Sequence, residues 1–155
     1  MIGLERQTMK DKTKQMKKNA GFTLVELIAV MAILAILLMV AVPKMTEYIE
    51  ASHRAAARTE AQLTADAVQR YLNDEFVKGT LDGKKLTALM GQELNNPDGV
   101  LWDYIHGGQK GAKLYYFHAD QTTGRLYSIT YESEKYRIEV TIDEDGNRTL
   151  KEVEK

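Results

Sequence analysis

Residues 21–45 read GFTLVELIAVMAILAILLMVAVPKM. Sixteen consecutive residues in it, Leu27 to Val42, are apolar. With Phe22–Glu26 the segment has 21 residues, and at about 1.5 Å per residue that is roughly 30 Å, the thickness of a bilayer's hydrocarbon layer. A helix this apolar on all sides must be covered all round. In a soluble fold the rest of the chain would have to cover it, and that remainder is too short and too polar. The segment therefore reads as membrane-spanning. Two residues break the pattern, the carboxylate Glu26 near its start and Pro43 at its end.

A charged group near hydrocarbon costs several kcal/mol unless it is paired or reaches the headgroups, so Glu26 is a functional candidate. Two readings stand. Glu26 lies at headgroup level and needs no partner, or it pairs with a cation. The segment itself has no cation before Lys44; a new N-terminus made by cutting just before Phe22 would supply one. Pro43 lacks the amide hydrogen that would bond the carbonyl of Met39, which means either a kink or a helix end at the membrane exit.

Charge is uneven along the chain. The whole carries 21 bases and 22 acids. Residues 1–21 hold six bases and two acids, including Lys17 and Lys18, and the remainder holds 15 bases and 20 acids. A basic head, an apolar block and an acidic body fit membrane insertion with the N-terminus cytoplasmic and the C-terminal body outside. A basic RNA-binding arm is disfavoured because the lysines abut the apolar run, and no direct nucleic-acid partner is expected. A cleaved secretory signal is disfavoured too. The run is longer than an ordinary h-region, and AVPKM follows it where a small-x-small site should stand. The absence of cysteine removes disulfides, thiolate metal sites and a cysteine nucleophile.

Beyond Pro43, helical spacing of Met45, Ile49, Ser52, Ala56, Leu63 and Ala67 predicts an amphipathic helix with that stripe inward, reaching about Val77 with Gly79 as its stop. Leu81–Gln92 holds one short helix with Leu86, Leu89 and Met90 inward. Asn95–Gly99 is a turn cluster, VLWDYI is open between short helix and strand, Trp102 reads as a core anchor, and Gly107–Gly111 is a loop. KLYYFHA, RLYSITY, YRIEVTI and NRTLKEV, separated by turn signals, predict four antiparallel strands. In the second, Leu126, Ser128 and Thr130 should alternate in facing with Tyr127, Ile129 and Tyr131. The fold class is α+β, a long N-terminal helix packed on a small four-stranded antiparallel sheet.

The order Lys-Lys, Gly, Phe-Thr-Leu-Val-Glu, apolar run, Pro, across residues 16–50, resembles the N-terminal segment of type IV pilins and type II secretion pseudopilins. The resemblance implies that a prepilin peptidase cuts between Gly21 and Phe22 and methylates Phe22 as the new N-terminus. It implies that Glu26 serves subunit assembly by meeting the Phe22 amine of a neighbour, and that the helix kinks or unwinds at Pro43. The leader is longer than the family's usual one, though a start at Met16, rather than Met1 or Met9, leaves a short MKKNAG. The organisation expected is a cytoplasmic leader at 1–21, a transmembrane and assembly helix at 22–43, its amphipathic half at 44–78, a linker with a short helix at 79–112 and a β-meander at 113–155.

Implied partners are further copies of the chain or other pilins, the prepilin peptidase, an assembly platform with its cytoplasmic ATPase, and membrane lipids before assembly. The implied location is the cytoplasmic membrane and then a surface filament. Alternatives are a pseudopilin of a secretion or competence system and a single-pass signal-anchored protein with an outer binding domain. No enzyme, cofactor or metal is expected: His53, His106 and His118 lack ligand spacing, and Asp143–Asn147 reads as a hairpin turn rather than a calcium loop.

Overall fold

The computed structural model of the protein describes residues 21–155. The leader up to Ala20, with Lys17, Lys18 and the alternative starts, lies outside the described residues. The order is α1 (Leu24–Val77), α2 (Gly83–Leu89), β1 (Lys113–Ala119), β2 (Leu126–Glu132), β3 (Arg137–Ile142) and β4 (Arg148–Glu152). The strands form one antiparallel sheet in the order β1-β2-β3-β4. This is the α+β architecture expected from the sequence. Two compact units divide between Pro43 and Lys44.

Among the described residues of the first unit nothing is buried: every residue from Gly21 to Pro43 is exposed. The second unit holds the core. There α1 turns one face inward, with Ala57, Ala61, Ala65, Val68 and Leu72 all fully buried at steps of four, four, three and four residues. These residues join the buried cluster that the sheet and the α2–β1 segment complete. This face replaces the stripe expected from hydropathy. Met45 is 67% exposed, Ile49 49% and Leu63 50%; only Ala67 of that stripe is buried. The strongest apolar periodicity marks a different side of the helix from the one the sheet covers, because alanines score weakly as hydrophobic yet pack best where two backbones come close.

The helix ends where the glycine signal placed it. Gly79 adopts φ +68°, its amide donates to the Phe76 carbonyl at 3.0 Å, and the Thr80 amide donates to the Glu75 carbonyl at 2.9 Å. These two bonds are the Schellman termination that a left-handed glycine permits. Next to it the Glu75 carboxylate, 6% exposed, accepts from Thr80 Oγ1 at 2.8 Å and pairs with Lys78 and Lys85. Lys85 stands on α2, so this carboxylate ties the two helices together. Met90, expected inward, is 47% exposed: as the C-cap of α2 it takes an extended conformation and leaves the helical face.

The sheet's inner face carries Leu114 and Phe117 from β1, Leu126, Ile129 and Tyr131 from β2, and Ile138 and Val140 from β3. In β1 and β2 the inward residues include pairs three apart, Leu114/Phe117 and Leu126/Ile129, which a period of two cannot bury together. A β-bulge solves this in each strand. The register shifts at Tyr115 and again at Tyr127, each an extra residue opposite a single partner. The strict alternation expected for β2 is thus corrected, and Leu126, Ile129 and Tyr131 all point inward.

Between α2 and the sheet, Leu94 and Leu101 reach the core, and residues 91–94 pair along the outer edge of β1 through the Leu114 amide and carbonyl, both at 2.8 Å. VLWDYI is neither helix nor strand but a series of turns. Trp102 is not a core anchor: Leu101 takes the core position, and the half-buried indole stacks on His106 with centroids 4.5 Å apart. Gln69 and Glu60 of α1 hold the sheet from its inner side, and the ion pairs Arg54–Glu152 and Asp66–Arg148 tie α1 to β4. Gln69 donates to the Gly124 carbonyl at 2.9 Å and accepts from the Leu126 amide at 2.9 Å. Glu60 accepts the hydroxyl of fully buried Tyr131 at 2.5 Å and the Gln109 amide at 2.8 Å. Burial and this carboxylate push the Tyr131 hydroxyl well above the usual phenol range.

Leu72→Ala should cost about 2–5 kcal/mol in denaturant unfolding of the full chain in nonionic micelles, whereas Leu63→Ala should change stability by less than about 0.5 kcal/mol. Equal costs would mean that the sheet covers the other face. A second expectation concerns acid. Hydrogen bonds from Lys85 and Thr80 hold the Glu75 carboxyl at about 2, below its ordinary 4.5. A depressed carboxylate stabilises the fold fully above the unfolded value, and that contribution fades as pH falls toward the folded one. The stability gap between the wild type and Glu75→Gln should therefore narrow as pH drops from 4.5 to about 2; a gap independent of pH over that window would refute the assignment.

Candidate processing and assembly segment

Gly21, Phe22 and Thr23 precede α1 and are not helical, and the Phe22 side chain is 89% exposed. A β-carbon at Gly21 would meet nothing within 4 Å. The peptide bond between Gly21 and Phe22 lies in irregular backbone shortly before α1.

Glu26 sits in the first turn of α1. Its Oε2 accepts the Thr23 amide at 2.8 Å and the Thr23 hydroxyl at 2.9 Å, while the Glu26 amide donates to Thr23 Oγ1 at 3.2 Å. The Thr23 carbonyl accepts the Leu27 amide at 3.1 Å. This reciprocal pattern is a capping box, with Thr23 as N-cap and Glu26 three residues on. The first amides of a helix have no partner inside it, and in hydrocarbon an unsatisfied one costs several kcal/mol. Glu26 answers that need within its own chain, a role beside the two weighed from the sequence. The signal was present as Thr-x-x-Glu ahead of an apolar run; attention to the charge alone missed it. Both donors reach the same oxygen, and a carboxylate has about four acceptor sites, so the cap leaves capacity for an added cation.

Pro43 lies inside α1, with helical residues on both sides. Between Leu24 and Val42 no described residue of the chain covers the apolar side chains, and α1 is the one helix among the described residues long and apolar enough to cross a membrane. Gly21, Phe22 and Glu26 are thus brought together at one helix start, and Pro43 stands apart from them, 17 positions beyond Glu26.

Elsewhere, Asp143–Asn147 forms the β3–β4 turn: Asp143 Oδ1 accepts the Asn147 amide at 2.8 Å and Gly146 adopts φ +85°. His118 lies against Tyr127, His106 on Trp102, and the His53 carbonyl accepts from Gln109 Nε2. An open cavity of about 590 Å³ beside Glu75 is lined by Tyr71, Tyr104, Lys78, Lys84 and Lys85, and two of these lysines, Lys78 and Lys85, pair with Glu75.

Residues 16–42 match the family model described as the prokaryotic N-terminal methylation motif. No curated protein and no solved structure matches the chain. The match spans the exposed junction at Gly21–Phe22, the capped helix start and the uncovered apolar run, and its first residues lie outside the described part. An apolar N-terminal helix behind such a motif fits a membrane-anchored, structural pilin-type protein. The chain carries the prepilin-type N-terminal methylation signal of type IV pilins and pseudopilins.

Proposed function

We propose that this chain is a structural subunit of a type IV pilus-like filament. It enters the cytoplasmic membrane with residues 1–21 inside and the body outside. Prepilin peptidase cuts after Gly21 and methylates Phe22, and the chain then polymerises through residues 22–43. The carrying observation is the apolar helix from Leu24 to Val42, which lies within the matched motif and which no described residue of the chain covers. Lipid covers it first, and the helices of other subunits cover it after assembly, driven by an assembly platform and its ATPase.

Glu26 then has two successive tasks. Before assembly Thr23 satisfies its carboxylate and α1 is capped. During assembly its remaining acceptor sites take the Phe22 amine of a neighbour. Opposite charges in contact interact strongly at low dielectric, and either one left alone is penalised, so the pair rewards one axial register. Pro43 contributes a helix position with no amide bond to the Met39 carbonyl, the point of least resistance to unwinding when subunits extend. The exposed apolar residues Met45, Ile49 and Leu63 extend the unpartnered surface of α1 into the second unit and give neighbouring subunits further contact. Residues 44–78 thus serve both the body and the filament, while 79–112 and 113–155 complete the body. A pseudopilin of a secretion or competence system would use the same parts.

Mass spectrometry of the mature chain should find methylated Phe22 as its first residue; a chain that keeps Lys17 and Lys18 would instead be a signal-anchored protein. Glu26→Gln and Glu26→Val should be inserted and cut normally but yield far fewer filaments by electron microscopy. Normal filament numbers would remove Glu26 from assembly.

A further inference from the structure

The two bulges have a consequence on the outer side of the sheet. Each places two consecutive residues outward, Tyr115 with Tyr116 and Tyr127 with Ser128. Tyr115 and Tyr116 are 47% and 49% exposed. Bases flank the rings. The Arg137 guanidinium lies 4.4 Å from the Tyr115 centroid with Lys113 Nζ at 5.8 Å, and the Arg125 guanidinium lies 5.6 Å from the Tyr127 ring. The pairing register carries the same face across the sheet through Thr130, Glu139 and Lys151, then through Ser128, Thr141 and Thr149. The face therefore consists of aromatic rings, His118, bases, the two acids Glu132 and Glu139 and a row of hydroxyls, with one aliphatic side chain, Val153, at its edge beside Arg137.

Its charge runs against that of the body. Lys113, Arg125, Arg137 and Lys151 stand against Glu132 and Glu139, four bases to two acids, and the rest of residues 22–155 has 11 bases and 18 acids. A cationic patch on an acidic body directs an anionic ligand to this one face. Keeping Tyr115 and Tyr127 outward requires an irregularity in each of two adjacent strands, and bulges of this kind re-aim side chains at functional surfaces.

We propose that the outer face of the sheet binds an acidic polysaccharide. Sugar rings lie against the tyrosines, which present large rigid apolar surfaces with a polar tip. Sugar hydroxyls bond the serine and threonine row, and uronate carboxylates meet Lys151 and Arg125. A nucleic acid fits less well. Polyphosphate binding draws on many bases that release counterions, and here Glu132 already holds Arg137 at 2.5 Å and Lys113 at 3.0 Å. A lipid surface fits less well again, since the face's one aliphatic side chain, Val153, lies at its edge.

The test is fluorescence anisotropy of labelled polygalacturonate titrated with the full chain in nonionic micelles, with dextran and a single-stranded oligonucleotide as competitors. Polygalacturonate should bind saturably and more weakly at higher salt. Dextran should not compete, and the oligonucleotide should need at least about tenfold more for the same displacement. Tyr116→Ser with Tyr127→Ser, and separately the surface change Lys151→Glu, should each weaken binding about tenfold or more without moving the thermal melt, whereas Lys84→Glu on α2 should not. Absence of polygalacturonate binding, equal competition by the oligonucleotide, or face variants that bind like the wild type would each overturn the proposal.

Discussion

One constraint organises this protein: no described residue of the chain covers the apolar helix from Leu24 to Val42. Every side chain on it is exposed, and exposed apolar surface is disfavoured by roughly 25 cal/mol per Å² in water. Something else must cover it. A bilayer can do so for a single chain, and in the proposed filament the helices of neighbouring subunits would do so for many. The same environment explains the careful start of the helix. Outside water the first amides need partners inside the protein, and Thr23 and Glu26 provide them in a few residues. A charge that looks misplaced in an apolar run is also the residue that closes the helix terminus.

The body follows a different logic. Its stretch of α1 buries small and medium side chains, Ala57, Ala61, Ala65, Val68 and Leu72, rather than the most hydrophobic ones. Polar side chains then fix the register between helix and sheet. Gln69 bonds backbone at Gly124 and Leu126, where the chain enters β2, and Glu60 holds the hydroxyl of fully buried Tyr131. Such contacts link residues more than 50 positions apart, so local sequence patterns carry no trace of them.

The candidate segment was far more legible than the body's interior. Gly21, Phe22, Glu26 and the apolar run form a contiguous motif, and each part can be read without knowing what lies nearby in space. The unread part of that segment was the capping box, even though Thr23 and Glu26 spell it locally. The misread parts of the body have a common physical origin. Met45, Ile49 and Leu63 have the right spacing for a buried stripe, and Trp102 has the right size for a core anchor, but burial depends on what is opposite. Leu101 and the alanine face were better placed against the sheet.

Sequence alone determined the α+β class, the membrane-length helix, its stop at Gly79, the four strands and the processing motif. Each of these follows from a local period, a run length or a backbone preference carried by single residues. Only the tertiary structure decided which face of α1 meets the sheet, where β1 and β2 bulge, and therefore which tyrosines point outward. Those outcomes depend on matching two surfaces distant in the chain, and a period of two must yield wherever the inward residues of a strand fall three apart.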